Sequence, residues 1–547
     1  MTDWSRATGT TYDLTFGYRD EARLAEVVGE LATDRVASRI AAKDATLWGP
    51  EAEEESAKRL GWVALSTASR ELVPQIEALR EELRSAGVTR VVLCGMGGSS
   101  LAPEVICGAA GVDLGVLDSS DPDFVRSFVG DRLSETVVVV SSKSGGTVET
   151  DSQKRVYEQA FRDAGIDPVG RIVVVTDPGS PLFESATEAG YRVFVADPTV
   201  GGRYSALTAF GLVPSGLAGA DIGGLLEEAE AIRPALEEDS VDNPGLRLGG
   251  LLGAANLEGV DKLVLASAGS SYPGLGDWIE QLVAESTGKH GKGILPVVVE
   301  SVDAPNFAPS TRDEVLVSFG PDLVFDTRPP ASGWGAAVDA SLGAQMLLWE
   351  YATVTAGRVI GINPFDQPDV ESAKAAARSM LDGGGDERSP AFEIGDVTVF
   401  ASPGWLPAGV GSVDGAVSAL LAHLDGVTGY VAVQAYLDRF RDADLAEVRG
   451  GLAVRTERPV TFGWGPRFLH STGQYHKGGP DTGVYLQITG TPAEDLAVPD
   501  RPFTLGEFIT AQAVGDGQVL ADKGRPVLRL HVTSPNGLAT VRQALAP

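Results

Sequence analysis

Cysteine is scarce in this chain: there are two among 547 residues, Cys94 and Cys107. Both lie in apolar stretches and neither has partners at metal-ligand spacing, so both are expected to be reduced core residues. Basic residues are in deficit, with 44 Lys and Arg against 75 Asp and Glu and a formal net charge of −31. Such a field repels polyanions and argues against a nucleic acid or an anionic membrane surface as partner. Long apolar runs are missing too. None approaches the roughly 20 residues that a membrane helix needs. The opening residues, Met1-Thr2-Asp3-Trp4-Ser5-Arg6, lack the basic-then-apolar pattern of a secretion signal. The expectation is a soluble cytoplasmic protein. No cluster has metal-ligand spacing, so neither a metal nor a cofactor is expected.

What the chain does have is apolar residue in quantity, 43% of the total. That supplies several buried cores, and the length suggests about three domains. The most informative stretch is Ser141-Ser142-Lys143-Ser144-Gly145-Gly146-Thr147-Val148-Glu149-Thr150. It follows the β-branched run Val137-Val138-Val139-Val140, which reads as a buried parallel strand, and it leads into a helix start. Glycines that let backbone N–H groups approach, hydroxyl donors and a helix N-terminus together suit a phosphate. An ordinary Ser/Gly-rich strand-to-helix loop is the alternative reading. Because the global charge repels anions, a phosphate site here needs locally convergent donors and cations.

The first ninety residues read as mostly helical, with apolar residues at helical spacing over 22–31 and 72–83. Next, Arg90-Val91-Val92-Leu93-Cys94 runs into Gly95-Met96-Gly97-Gly98-Ser99. This turn lacks the third glycine of a dinucleotide-binding fingerprint. Further strands are expected near 114–118, 171–177 and 191–195. Strands separated by helix-length segments predict a doubly wound parallel sheet, with ligands at the carboxyl ends of its strands. The plan repeats over 262–319, and a long apolar helix is expected from about 336 to 356 after Pro329-Pro330. Leu381-Asp382-Gly383-Gly384-Gly385-Asp386 reads as a linker. A tail of mixed helices and strands follows.

Gly95-Met96-Gly97-Gly98-Ser99, the Ser-Lys-Ser-x-x-Thr-x-Glu-Thr run and Gly201-Gly202-Arg203-Tyr204-Ser205 together resemble sugar-isomerase (SIS) domains, and more narrowly the phosphoglucose isomerases. The segment Gln281-Leu282-Val283-Ala284-Glu285-Ser286-Thr287-Gly288-Lys289 is similar to that family's segment around its catalytic glutamate. Asn363-Pro364-Phe365-Asp366-Gln367-Pro368-Asp369-Val370-Glu371-Ser372-Ala373-Lys374 resembles its closing lysine motif, with Asp369 where the family usually has glycine. Leu469-His470-Ser471-Thr472-Gly473-Gln474 resembles a histidine run of the bacterial enzymes. There the run lies between the glutamate and lysine motifs, whereas here it follows the lysine motif. The whole also resembles the isomerase part of bacterial transaldolase–phosphoglucose isomerase fusions.

The resemblance implies two doubly wound parallel-sheet domains of α/β class; the linker and the long tail after it, which ordinary members lack, add a C-terminal α/β segment, for divisions at 1–225, 226–384 and 385–547. It implies a catalytic base at Glu285, ring opening by His470 and Lys374, and charge stabilisation by Arg203. The phosphate of a sugar-phosphate substrate would be held by Ser99, Ser142, Lys143, Ser144, Thr147 and Thr150, with Gln367 closing the site. His476 rivals His470 for its role. A homodimer with active sites near the interface is implied as well. Two other readings stay open: an isomerase that also accepts mannose 6-phosphate, and a non-catalytic sugar-phosphate sensor, which needs the phosphate loop but not Glu285, Arg203 and Lys374 together.

Overall fold

The computed structural model of the chain describes residues 4–17, 21–130, 132–322, 324–381 and 389–547, with backbone alone for residues 4 and 370–374. Three sheets organise it. The strands are β1 (Trp4–Thr8), β2 (Tyr12–Gly17), β3 (Arg90–Gly95), β4 (Gly115–Leu117), β5 (Thr136–Ser141), β6 (Ile172–Thr176), β7 (Arg192–Val195), β8 (Lys262–Ser267), β9 (Leu295–Val298), β10 (Glu314–Phe319), β11 (Gly335–Ala340), β12 (Phe392–Ile394), β13 (Val397–Ala401), β14 (Tyr430–Tyr436), β15 (Val460–Trp464), β16 (Gly483–Gly490) and β17 (Val527–Val532).

The first sheet is wholly parallel in the order β4-β3-β5-β6-β7. β5 and β6 are buried at every residue. Helices cover both faces, so valine can fill both sides of the strand without exposing apolar surface. The strand order reverses between β3 and β5. Gly95 and Ser141, the last residues of those strands, are register partners. The loops that leave them therefore lie side by side in the crevice where such sheets bind ligands.

The second sheet runs β1-β2-β11-β10-β8-β9 and the third β12-β13-β17-β16-β14-β15. Their plans match. In each, four parallel strands take the relative order 2-1-3-4, and an antiparallel hairpin flanks the fourth. The C-terminal segment is thus a third α/β unit built like the second. One apolar cluster joins β8, β9 and β10 to Tyr430, Tyr475 and Tyr485 of the third unit. Another joins the first sheet to Val498 and Leu505.

Two local expectations are corrected. The first ninety residues are mostly helical as expected, with Glu21–Thr33 and Leu72–Ser85 among the helices, but they also hold the unexpected hairpin β1–β2, and β2 pairs with β11 of the second sheet although the first sheet lies between them in sequence. The alternation in Tyr12-Asp13-Leu14-Thr15-Phe16, with Leu14 and Phe16 fully buried, explains it. The long helix begins at Leu342, not near Ala336, because Gly335–Ala340 is strand β11. The alanines of β11 are packed between β10, to which it runs parallel, and β2, to which it runs antiparallel, and there small size outweighs their helix propensity. No helix among the described residues is long and apolar enough to cross a membrane.

Candidate functional site

Three segments meet at the switch point of the first sheet. The turn after β3 packs backbone to backbone against Gly201–Ser205: a Cβ added to Gly98 would lie 2.0 Å from the Gly202 carbonyl oxygen. Ser205 Oγ also donates to Gly98 O at 3.2 Å. Neither main chain can yield without moving the other. Gly98→Ala is expected to cost about 1–3 kcal/mol, the range for overpacking. Denaturant unfolding checks this; a variant as stable as the parent would contradict so close an approach.

The loop after β5 is shaped by its own hydroxyls. Gly145 N–H donates to Ser142 Oγ at 3.1 Å and Gly146 N–H to Ser144 Oγ at 3.2 Å, while Ser142 Oγ reaches Thr147 Oγ1 at 3.4 Å. Thr147 precedes the helix Val148–Asp163, whose N-terminus carries no side-chain cap. Its first N–H groups and the helix dipole therefore suit an anion. Lys143 faces elsewhere: its Nζ lies 2.9 Å from Asp177 and 2.8 Å from Val200 O, so its charge is balanced and it braces the loop from behind. Ser99 is half-buried beside this loop. Thr150 is buried beneath it, its Oγ1 without a hydrogen-bond partner among the described residues.

Arg203 is 4% exposed and grips several groups at once. Its guanidinium donates to Ser286 Oγ at 2.8 Å, Gln367 Oε1 at 2.8 Å, Pro364 O at 2.7 Å and Asp366 O at 3.2 Å. It stands 4.0 Å from the Glu285 carboxylate. Glu285 is buried near the end of the helix Leu275–Thr287, where Gln281 Nε2 donates to it at 3.2 Å. The same Nε2 donates to the His470 carbonyl at 2.7 Å, so one amide joins the Glu285 helix to the His470 run. Because Arg203 occupies Gln367 Oε1, the exposed Gln367 amide keeps its N–H₂ for another acceptor.

His470 reaches this place from the loop after β15 of the same chain. Its Nε2 lies 3.0 Å from Glu149 Oε1. A carboxylate only accepts, so Nε2 carries the proton and, in the neutral ring, Nδ1 keeps a lone pair. His476 is placed otherwise. It is buried among Tyr430, Phe468 and Tyr485, its Nδ1 3.3 Å from Gln434 Nε2. Burial, with Lys477 and Arg525 nearby, pushes its pKa well below the ordinary imidazole value. Lys374 lies on the helix Val370–Leu381, and its side chain is outside the described residues.

Four residues that carry these contacts were given no role from the sequence. Glu149 stood inside the loop motif, but its partner is 321 positions away. Lys289 is fully buried and donates to Asn363 O at 2.7 Å, to Asp366 O at 2.6 Å and to Asp366 Oδ1 at 2.7 Å. With Arg203 it pins the 363–367 turn from two sides. Burial, then the neighbouring guanidinium, brings its pKa down to about 8 despite Asp366. Gln474 Nε2 donates to Gly288 O and to Asp369 Oδ2, both at 2.9 Å. Gln512 donates to Glu149. Asp369 also accepts from Lys523 at 2.6 Å, so this residue, a glycine in the resembled family, fastens the lysine-bearing helix to the C-terminal unit. A pocket opens beside Glu149 and His470, walled by Thr147, Ala377, Leu469 and Phe508. Among the described residues no group of His, Cys, Asp or Glu is placed to hold a metal ion.

The site thus offers an uncapped helix N-terminus for an anion, a buried carboxylate facing a guanidinium, and an imidazole held by a second carboxylate. No family model matches the chain. It is 29% identical over 432 residues to a probable glucose-6-phosphate isomerase of Natronomonas pharaonis, covering 71% of this chain and 99% of that one. A probable glucose-6-phosphate isomerase of Haloarcula marismortui is 29% identical over 345 residues, 54% of this chain and 79% of its own length. The crystal structure of a glucose-6-phosphate isomerase from Chlamydia trachomatis superposes with a TM-score of 0.55 at 20% identity, over 68% of this chain and 89% of that one, a likeness of fold.

Proposed function

We propose that the chain is a glucose-6-phosphate isomerase, interconverting glucose 6-phosphate and fructose 6-phosphate by ring opening and proton transfer between C2 and C1. The observation that carries this reading is the Gln281 bridge. It sets the Glu285 carboxylate and the His470 segment on one wall, with Arg203 4.0 Å from the carboxylate.

The phosphate sits at the N-terminus of the helix Val148–Asp163, held by Ser99, Ser142, Ser144 and Thr147, with Gln367 closing over it and Lys143 and Thr150 supporting the loop from behind. His470, its Nε2 proton held by Glu149, takes the anomeric hydroxyl proton at Nδ1, and Lys374 returns a proton to the ring oxygen. The ring C–O bond breaks and the carbonyl forms at C1. Glu285 then removes the C2 proton, electrons move into the carbonyl, and the cis-enediol intermediate forms as its enediolate, with the charge on O1. Arg203 faces the oxygens on which negative charge grows. A cation already fixed by four hydrogen bonds stabilises that charge without reorganising. The O2 hydroxyl proton passes to O1, C2=O forms, and Glu285 delivers its proton to C1, giving the ketose.

A cytoplasmic location, a homodimer and kinship with the isomerase part of transaldolase fusions belong to the same proposal. The matched plan of the second and third units supports a C-terminal unit integral to the enzyme. A coupled assay on the purified chain tests the activity: it should convert fructose 6-phosphate to glucose 6-phosphate and leave mannose 6-phosphate largely untouched. Comparable rates on both would favour the broader isomerase. Binding without turnover would make the chain a sensor.

A further inference from the structure

The helix Leu505–Asp522 of the C-terminal unit presents Gln512, Gly515 and Asp516 along one face, at the three- and four-residue spacings that align side chains on a helix. Each meets a different segment of the site. A Cβ on Gly515 would lie 2.9 Å from Ala377 N, in the helix that carries Lys374. Asp516 pairs with Lys477 at 2.5 Å, in the short helix after His470. Gln512 Nε2 lies 2.7 Å from Glu149 Oε1, the same carboxylate oxygen that His470 uses.

The hydrogen bonds fix the orientation of this amide. Glu149 Oε1 can only accept, so the Gln512 nitrogen must face it and the amide oxygen must face away. That oxygen meets Ser120 Oγ, which donates to it in a buried contact. The result is a chain Ser120–Gln512–Glu149–His470, running from the loop after β4 through the helix Leu505–Asp522 to the imidazole. Glu149 and Gln512 are 6% and 4% exposed, so water has little access to replace either bond.

We propose that Gln512 is a positioning residue for ring opening. Supplied by the C-terminal unit, it holds Glu149 at the angle that keeps the His470 proton on Nε2 and leaves Nδ1 to act on the anomeric hydroxyl. This rests on the isomerase reading above and extends it. The C-terminal unit delivers not only His470 but also the group that orients its carboxylate partner.

The test is a double-mutant cycle with Gln512→Met, which keeps the shape of the side chain and removes both hydrogen bonds. In the full-length parent, kcat for ring-closed glucose 6-phosphate should fall about 10- to 100-fold, the worth of a hydrogen bond to a charged group, with KM little changed. In the His470→Ala background the same substitution should change kcat less than twofold, because the group it orients is gone. Ser120→Ala should give a smaller loss in the parent, again absent without His470; it serves as the second probe should Gln512→Met fold poorly. Equal losses in both backgrounds, or none in the parent, would overturn the role of Gln512 while leaving the isomerase reading standing. A parent with no isomerase activity would instead sink the function itself.

Discussion

Replacing Glu285 by glutamine should lower kcat about 10²- to 10⁴-fold, the range for losing a general base, while KM for the sugar phosphate stays nearly constant. The amide fills the volume of the carboxylate and can still meet Gln281, so the pocket keeps its shape. It cannot take a proton from C2. The proposed phosphate site lies on a different element, at the N-terminus of the helix Val148–Asp163, and binding there should be indifferent to the change. Steady-state kinetics with the variant separates the two effects. A variant that kept more than a tenth of the parental kcat would place the base elsewhere.

The second large effect concerns stability. Lys477 and Asp516 form an ion pair at 2.5 Å with side chains 1% and 0% exposed. Asp516→Ala would leave the ammonium buried with only the Gly473 carbonyl, at 3.2 Å, as a described acceptor. Removing one partner of such a pair costs about 3–5 kcal/mol, a large share of the roughly 5–15 kcal/mol that holds a domain folded. The pair also ties the helix Leu505–Asp522 to the segment after His470, so activity should fall together with stability. Adding Lys477→Met to Asp516→Ala should recover most of the loss, because no unpaired charge then remains. The midpoint of denaturant unfolding reports both results. A single variant as stable as the parent would show the pair to be dispensable.

How much of this was legible in the residues depended on distance along the chain. The loops after β3 and β5 could be read because their chemistry is local: β-branched strand, glycine and hydroxyl turn, helix start. Placing both at strand ends put them in one crevice, and the register of Gly95 against Ser141 bears that out. Strand β11 was read as helix because Gly-Ala-Ala-Val-Asp-Ala shows neither clear alternation nor bulk, and its state is decided by the neighbours that pack on it. The pairing of β2 with β11 could not be read at all. Nothing local says which sheet a hairpin at one end of the chain will join.

At the site, the residues with motif contexts could be named, but their partners could not. The bond from His470 to Glu149 spans 321 positions and that from Gln512 to Glu149 spans 363. Lys143 shows the converse. Its place in a phosphate-like loop suggested an anion contact, whereas its ammonium is engaged by Asp177 and Val200 O. Asp369 stood out only as a departure from a pattern. Its side-chain bonds to Gln474 and Lys523 give that departure a reason, because a glycine there would keep only the backbone N–H bond to Gln474 Oε1.

The most direct test of the proton-transfer chemistry is isotope exchange followed by nuclear magnetic resonance. Glucose 6-phosphate is incubated in deuterium oxide with the purified chain and, separately, with Glu285→Gln. Enzyme-dependent deuterium at C2 of glucose 6-phosphate and at C1 of the fructose 6-phosphate formed, both lost in the variant, is the predicted result. Turnover with no solvent deuterium at either carbon in any product, or exchange that persists undiminished in Glu285→Gln, would contradict an enediol mechanism run by this carboxylate.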